Sequence, residues 1–330
     1  MTQAHWWLVL KTFTIASQIS KDIMDKRVFL AGGYQLADDT ASRNVYETDL
    51  RNNGWCCFAT LPCQYTINAA SVCTNNALHI VSGHGVNGEF EGHAHRLDVA
   101  KGTWQTCSGI IDAPVFVDEC IILDRDSTRE RIMLVYDAKQ NISELYAGGT
   151  PYQSHFAILD WDSGVFNTIS RLSGISEVGM CSSEGSLVLG GGVDANGTAL
   201  PSVHVGSVID ERLTLQPARA MAVPRGHHRF VSPSNGKVVA VGGTFRFGGR
   251  HSYSSCEMYD LHRDIWTFLP PLSTGRRNFA ATSRDGCVFV AGGFNGSDGI
   301  RFDSEMLDLR MPKWIKGPDV PPVLWNYTIA

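Results

Sequence analysis

The 330-residue sequence has little charge and no long apolar run. Charged residues make up 18% of the chain, below the usual level of about 25%, and 28 Lys and Arg are balanced by 33 Asp and Glu. The basic residues form no cluster, which argues against nucleic-acid binding. No stretch approaches about 18 apolar residues, and the N-terminus has no cationic segment followed by an apolar one. We therefore expect neither a membrane span nor a secretory signal.

Regular cysteine spacing is also lacking. The nine Cys are odd in number and no C-x-x-C motif occurs, which argues against a disulfide framework and a structural zinc site. We expect reduced, mostly buried thiols in a cytoplasmic or nuclear protein that is not secreted. The histidines His84, His93 and His95, and the adjacent His227 and His228, lack the spacing of a known metal motif. We therefore predict no metal and no cofactor.

Glycine is in excess, at 33 residues, and much of it belongs to a repeat. Apolar segments end in paired glycines at Gly32, Gly33, Gly191, Gly192, Gly242, Gly243, Gly292 and Gly293. Each pair is followed by a segment that closes on an aspartate, and two repeats without a full glycine pair have such a segment too; the six aspartates are Asp49, Asp98, Asp160, Asp210, Asp260 and Asp308. Six residues further on stand Trp55, Trp104, Phe166, Gln216, Trp266 and Trp314. Three markers in one phase over six copies make a strong signal.

Each marker has a structural role. Paired glycines end a buried strand where a positive φ or a close backbone approach is needed. Aspartate can accept a hydrogen bond from the backbone two residues on and so begin a turn. Tryptophan brings a large apolar area that only a neighbouring sheet can cover. A unit of about 50 residues and four strands, whose faces need similar neighbours, predicts a blade of a β-propeller.

The pattern resembles the kelch repeat, most closely in the segments 256–270 and 288–318. The resemblance implies an all-β, kelch-type propeller, for which we expect six blades of four antiparallel strands in a single domain spanning 1–330. A seventh, partial blade is the alternative count. We place the blades at 11–61, 62–110, 111–172, 173–217, 218–270 and 271–317, with 1–10 and 318–330 as closing strands. Blade 3 departs from the pattern, because its second strand, Arg131–Asp137, lacks the paired glycines and a loop insertion follows.

Candidate binding residues come from the same resemblance. In kelch-type blades, the loops that enter the inner strand and the loops between the second and third strands share one face, which usually receives the partner. This implies a site on that face formed by Arg225, Phe245, Arg246, Phe247, Arg250, Arg276, Arg277 and Arg301. Arginine and aromatic side chains are typical of interface hot spots, and arginine suits a peptide or loop of acidic character. The alternative is that these arginines are loop charges paired with acids such as Asp298 and Asp303.

We therefore expect a non-catalytic protein-interaction module. The resemblance suggests the substrate-recognition propeller of a ubiquitin ligase or a scaffold, with binding to the actin cytoskeleton as a second interaction hypothesis. The alternative class is a small-molecule enzyme or sugar-binding propeller, similar to a mutarotase or to galactose oxidase, with Glu177 and Arg225 as conceivable parts. The sequence has no P-loop, G-x-S-x-G or H-E-x-x-H motif, and we do not expect an enzyme.

Overall fold

The described residues form six blades, each built on four antiparallel strands; the sheet of blade 3 also includes Ile175–Ser176, which pairs in parallel with Gln153, and Val193–Asp194. A computed structural model describes residues 28–32, 34–35, 40–49, 54–63, 69–74, 76–81, 92–108, 116–125, 130–137, 153–246, 251–321, 324–325 and 328–329. From inner to outer strand, blade 1 contains Thr328–Ile329, Phe29–Ala31, Asn44–Asp49 and Gly54–Thr60. Blade 2 contains Ala70–Cys73, Ala77–Val81, Ala94–Asp98 and Thr103–Cys107. Blade 3 contains Phe116–Arg125, Glu130–Asp137, Gln153–Asp160 and Val165–Ser173.

The second half of the chain repeats the arrangement. Blade 4 contains Gly179–Ser183, Ser186–Gly190, Val203–Ile209 and Arg212–Ala218. Blade 5 contains Arg229–Ser234, Lys237–Val241, Cys256–Asp260 and Ile265–Leu269. Blade 6 contains Ala280–Arg284, Cys287–Ala291, Ser304–Asp308 and Met311–Lys316. Short strands lie in the loops: Tyr34–Gln35 with Thr40–Ala41 and Leu324–Trp325, Ile175–Ser176 with Val193–Asp194, and Phe294–Asn295 with Gly299–Ile300.

The inner strands close a ring. Each contacts the inner strand of the next blade, and the C-terminal strand Thr328–Ile329 contacts those of blades 2 and 6. This strand pairs antiparallel with Phe29–Ala31, placing Leu30 opposite Ile329. The described residues thus form an all-β propeller of six blades, which confirms the predicted fold class and excludes the seven-bladed alternative. The proposed closing strand at 1–10 lies outside the described residues.

The second strand of blade 3 is Glu130–Asp137, which matches the segment chosen from the sequence. It pairs with both Phe116–Arg125 and Gln153–Asp160. The insertion predicted to follow it falls on residues 138–152, which are not among the described ones. In the described part of the chain, no helix has the length and hydrophobicity that a membrane crossing would need.

Six apolar clusters fill the six interfaces between neighbouring blades. Where the repeat has an aromatic residue, that residue packs at the interface with the preceding blade: Trp55 touches Phe289 of blade 6 edge-on, with ring centroids 6.2 Å apart, and Trp266 joins the cluster that contains Val188 and Val203 of blade 4. Trp314 is only 9% exposed, and its indole donates a hydrogen bond to the carbonyl of Pro270 at 2.9 Å. Trp55, Trp104 and Trp266 are half-buried. Between blades 3 and 4, where the repeat has glutamine, Val208, Leu213 and Leu215 supply the apolar contact instead.

The paired glycines lie where the loop that enters the next blade crosses the end of the second strand. Gly242 and Gly243 have φ values of 60° and 96°. A Cβ on Gly242 would lie 2.5 Å from the carbonyl oxygen of Arg276, and the amide of Gly243 donates to that same oxygen at 2.9 Å. Gly192 makes the equivalent bond to Arg225 one blade earlier, at 2.8 Å. The glycine pairs are therefore contacts between blades. Gly33 lies outside the described residues.

The repeated aspartates lie at turns, and four of them accept a backbone hydrogen bond there. Asp98, Asp260 and Asp308 each accept a hydrogen bond from the amide two residues on, at 2.9 to 3.1 Å, and Asp160 accepts one from the amide three residues on. Asp210 instead is itself left-handed, with φ 49°, in the two-residue hairpin turn between Ile209 and Arg212. Of Asp49 only the backbone, at the end of its strand, is described.

Candidate functional site

One face of the ring carries the loops that were expected to bind a partner. We call it the loop face, and define it in the described residues by the segments 175–178, 193–202, 225–228, 244–246, 251–255, 276–279 and 294–303. Neighbouring loops are joined along this face by backbone bridges, such as Gly226 with Thr244 and Arg277 with Phe294. These bridges hold the loops in a fixed arrangement, which is the condition for presenting a preformed binding surface.

Arg225, predicted to contact a partner, is fully buried beneath the loop face. Its Nη1 donates to the carbonyl oxygens of Gly242 at 2.6 Å and Ser255 at 2.8 Å. Its Nη2 forms an ion pair with Glu257 Oε1 at 2.9 Å. The side chain therefore ties the loop that enters blade 5 to the second and third strands of that blade.

Arg276 repeats the same arrangement in blade 6 and is also fully buried. Its Nη1 donates to the carbonyl of Gly292 at 3.0 Å, and its Nη2 contacts Glu305 Oε1 at 2.7 Å and Asp303 Oδ2 at 3.0 Å. The second oxygen of Glu305 accepts the amide of Ser273 at 2.9 Å. Glu257 and Glu305 thus each form an ion pair with the arginine of their blade and also accept a hydrogen bond from an amide of the entering loop.

The assignment of Arg225 and Arg276 to the partner site was therefore wrong. Neither side chain is accessible to a partner, because both are fully buried. The guanidinium group of each already donates hydrogen bonds to backbone carbonyls and forms an ion pair with a buried carboxylate. The sequence signal for this burial is a glutamate, Glu257 or Glu305, three residues before the repeated aspartate in the two blades that have the arginine. Removing one partner of such a pair would leave the other charge buried and unpaired.

Phe245 and Arg246, which the sequence analysis proposed as partner contacts, are exposed on the loop face. Phe245 is 51% exposed, a high value for so large an apolar side chain. The carbonyl of Phe245 accepts the amide of Ala199 at 2.8 Å, and Arg246 bridges to Thr198, so the loop of blade 4 fixes this segment. The neighbouring candidates Phe247 and Arg250 lie outside the described residues.

Arg277 and Arg301 stand on adjoining loops of blade 6. The guanidinium of Arg277 lies 5.0 Å from the centroid of the Phe294 ring, a distance at which a cation attracts an aromatic face. Arg301 contacts Asp303 Oδ1 at 2.8 Å and Asp298 Oδ2 at 3.4 Å, so its charge is largely balanced. For Arg301 the structure agrees with the alternative expectation, a loop charge paired with these two acids.

The histidines do not form a metal site in the described part of the chain. The rings of His93 and His95 share one side of their strand, with centroids 6.1 Å apart, but no group of three His, Cys, Asp or Glu side chains with ligand geometry accompanies them there. Burial, helped by the neighbouring His93, lowers the pKa of His95 to about 4. At the loop face, His227 Nδ1 lies 3.2 Å from Glu177 Oε2. His84 is not among the described residues.

A central channel opens along the axis of the ring. The inner strands of blades 2 to 6 line a cavity of about 330 Å³. Glu119 of blade 3 and Arg229 of blade 5 face each other there, with Oε2 and Nη1 3.5 Å apart. Neither residue was a candidate from the sequence. Of the two conceivable enzyme residues, Arg225 is buried in the ion pair described above and Glu177 pairs with His227 at the loop face.

The comparison with known proteins agrees with this architecture. The model of the Kelch motif matches residues 225–273 and 275–321, which correspond to blades 5 and 6. The chain is thus a six-bladed β-propeller that carries kelch motifs, and the resemblance inferred from the sequence is confirmed.

The similar curated proteins share only part of the chain. The Influenza virus NS1A-binding protein homologs of Xenopus laevis and Mus musculus are each 39% identical over 62 residues. The human Influenza virus NS1A-binding protein is 37% identical over the same length. The shared stretch is 19% of this chain and 9% of each of these relatives. It establishes distant, partial homology to a kelch protein.

Proposed function

We propose that this propeller is a non-catalytic binding module that recognises another protein through its loop face. The observation that carries the proposal is the exposed pair Phe245 and Arg246, held in place by the loop of blade 4. An exposed aromatic side chain beside an arginine is typical of interface hot spots. Because the loop is already fixed, little conformational entropy would be lost when a partner binds. Kelch proteins commonly bind other proteins, and the relatives named above are called binding proteins, which supports the same proposal.

The partner we propose is a peptide or loop of acidic character. The exposed Arg246 supplies positive charge at this face, whereas Arg301 is balanced by Asp298 and Asp303. Association should therefore weaken as ionic strength rises, since salt screens exposed charges over about 8 to 10 Å. Within this class, the substrate-recognition part of a ubiquitin ligase or a scaffold is the role we favour, and binding to the cytoskeleton is the second.

Affinity capture with two matched double variants tests the proposal. The first, Phe245→Ser with Arg246→Glu, alters the loop face. The second, Ile209→Ser with Arg263→Glu, makes the same changes on turns between third and outer strands, which lie at the opposite face; Ile209 is 63% exposed. Both variants should melt like the wild type, because all four side chains are exposed.

The two variants should differ in what they capture from cognate cell lysate. We expect specific partners to be lost from the first variant and retained by the second, and to be released by salt. The recovered proteins would then separate the ligase, scaffold and cytoskeletal hypotheses. Partners that bind both variants equally well, or a wild type that retains nothing, would refute recognition through this face.

A further inference from the structure

The channel is polar as well as roomy. Its volume, about 330 Å³, is at the lower end of the range in which small ligands bind proteins. Apart from Glu119 and Arg229, its polar lining consists of hydroxyl and thiol side chains. The hydroxyl groups belong to Ser71, Ser182, Ser232, Thr282 and Ser283. A wall of this kind can both donate hydrogen bonds to a polar ligand and accept them from it.

Arg229 is not required by the propeller repeat. It is the first residue of the inner strand of blade 5, and the residues that begin the inner strands of blades 2, 4 and 6 are Ala70, Gly179 and Ala280. These small residues serve the same packing position. A guanidinium group in a partly desolvated channel costs free energy unless it is paired. An arginine at this position therefore needs a carboxylate or another hydrogen-bond acceptor as its partner.

Glu119 forms only a loose ion pair with Arg229. A β-bulge between Val117 and Glu119 shifts the register of the blade 3 inner strand at this point, and bulges commonly re-aim a side chain beside a functional site. The resulting separation from Arg229 Nη1 is 3.5 Å. Strong ion pairs are closer, at about 2.7 to 2.9 Å, as Arg276 and Glu305 are at 2.7 Å. The pair in the channel is therefore looser than the structural pairs beneath the loop face.

The guanidinium of Arg229 also remains accessible. Its second contact, to the carbonyl of His228 at 3.4 Å, again uses Nη1, so the described residues engage neither Nη2 nor Nε. The side chains of Arg229 and Glu119 keep 26% and 16% of their surface exposed. Two further nitrogens are thus available for a planar group with two oxygens, such as a carboxylate.

We propose that the channel binds a small carboxylate bearing hydroxyl groups, with Arg229 holding the carboxylate and the serine and threonine hydroxyls contacting the rest. Burial raises the pKa of Glu119 to about 7, although Arg229 opposes the rise. Among the described side chains, the other titratable groups that interact with Glu119 are the thiols of Cys120 on its own strand and Cys181 on blade 4. Burial raises the pKa values of both thiols well above neutrality, so they stay uncharged.

The protonation of Glu119 gives the site a defined pH dependence. Ionised Glu119 competes with an incoming carboxylate for Arg229, whereas protonated Glu119 does not. Affinity should therefore increase as pH falls through about 7. For a single group with this pKa, the gain between pH 8 and pH 6 should be about tenfold.

Isothermal titration calorimetry on the full chain tests the proposal with gluconate, tartrate and glucitol; glucitol is the uncharged counterpart of gluconate. We expect gluconate or tartrate to bind the wild type at pH 6, and glucitol to bind at least tenfold more weakly. Arg229→Gln should lose binding at least tenfold, while Arg263→Gln, on an exposed turn, should bind as the wild type does. Melting curves establish that each variant is folded.

Glu119→Gln provides a second, independent measurement. It should bind the carboxylate at pH 8 about as well as the wild type does at pH 6, and its affinity should no longer change with pH. The proposal is overturned if neither carboxylate binds the wild type at millimolar concentration, if Arg229→Gln binds unchanged, or if Glu119→Gln keeps the pH dependence of the wild type. Loss of protein partners in the loop-face variant would not bear on any of these outcomes.

Discussion

Arg276→Met should destabilise the fold, although Arg276 belongs to the loop that enters blade 6 at the loop face. The wild-type guanidinium contacts two backbone carbonyls and two carboxylates, all at 3.2 Å or less, and is fully buried. Methionine fills much of the same space but leaves Glu305 buried without its countercharge. Breaking a buried pair in this way costs about 3 to 5 kcal/mol. For a chain of this length, that corresponds to a fall in Tm of about 4 to 7 °C.

Urea denaturation followed by tryptophan fluorescence measures the loss, with far-UV circular dichroism as a second probe. Arg263→Met is the matched control, because its side chain is 76% exposed and its ion pair with Asp260 is long, at 3.9 Å. It should change stability by no more than about 0.5 kcal/mol. The double variant Arg276→Met with Glu305→Met should recover part of the loss, since it removes the unpaired charge as well.

One result would refute this reasoning. If Arg276→Met unfolds at the same urea concentration as Arg263→Met but no longer binds the captured partner, then Arg276 acts at the surface. The original sequence-based assignment would then be right, and the buried ion pair would not contribute to stability.

Three further predictions concern stability. Gly242→Ala should destabilise more than Gly286→Ala in urea denaturation, because both residues have positive φ but only at Gly242 would the Cβ meet backbone. Trp314→Ala should cost about 3 to 5 kcal/mol, and a wild-type melting curve would contradict the blade packing. Burial alone would raise the pKa of Asp303, but Arg301 and Arg276 lower it to about 2. The free energy of unfolding should therefore fall as the pH drops from 3.8 towards 2. In Asp303→Asn, the plot of this free energy against pH should be flatter over that range.

The repeat could be predicted from the sequence because its signals are local and recur. Paired glycines, a turn-forming aspartate and a tryptophan each act within a few residues of where they stand, and six copies in phase reinforce one another. The roles of Gly242, Asp260 and Trp314 followed from this pattern. The half-burial of Trp266 did not, because it depends on how far the preceding blade covers the ring.

The exposed residues of the loop face were also predictable, but the burial of Arg225 and Arg276 was not. Phe245 and Arg246 lie in a loop whose unusual composition is visible in the sequence. Arg225 and Arg276 are also loop arginines in the sequence. They are buried because the third strand of their own blade provides a carboxylate 2.7 to 2.9 Å away, with which each forms an ion pair. Whether such an arginine is exposed or forms a buried ion pair depends on the residue that faces it, which is about 30 positions away in the sequence.

The repeat pattern in the sequence predicts the kind of blade and its length, because each blade is built from contacts between neighbours in the chain, whereas the count of six follows from closure of the ring. Which charges are accessible, and which of them meet across the ring, depends on how the chain folds. Glu119 and Arg229 stand on inner strands separated by a whole blade, and a bulge in one strand aims the glutamate. No local pattern encodes such a meeting, because it depends on closing the ring, which the C-terminal strand Thr328–Ile329 completes by pairing with Phe29–Ala31.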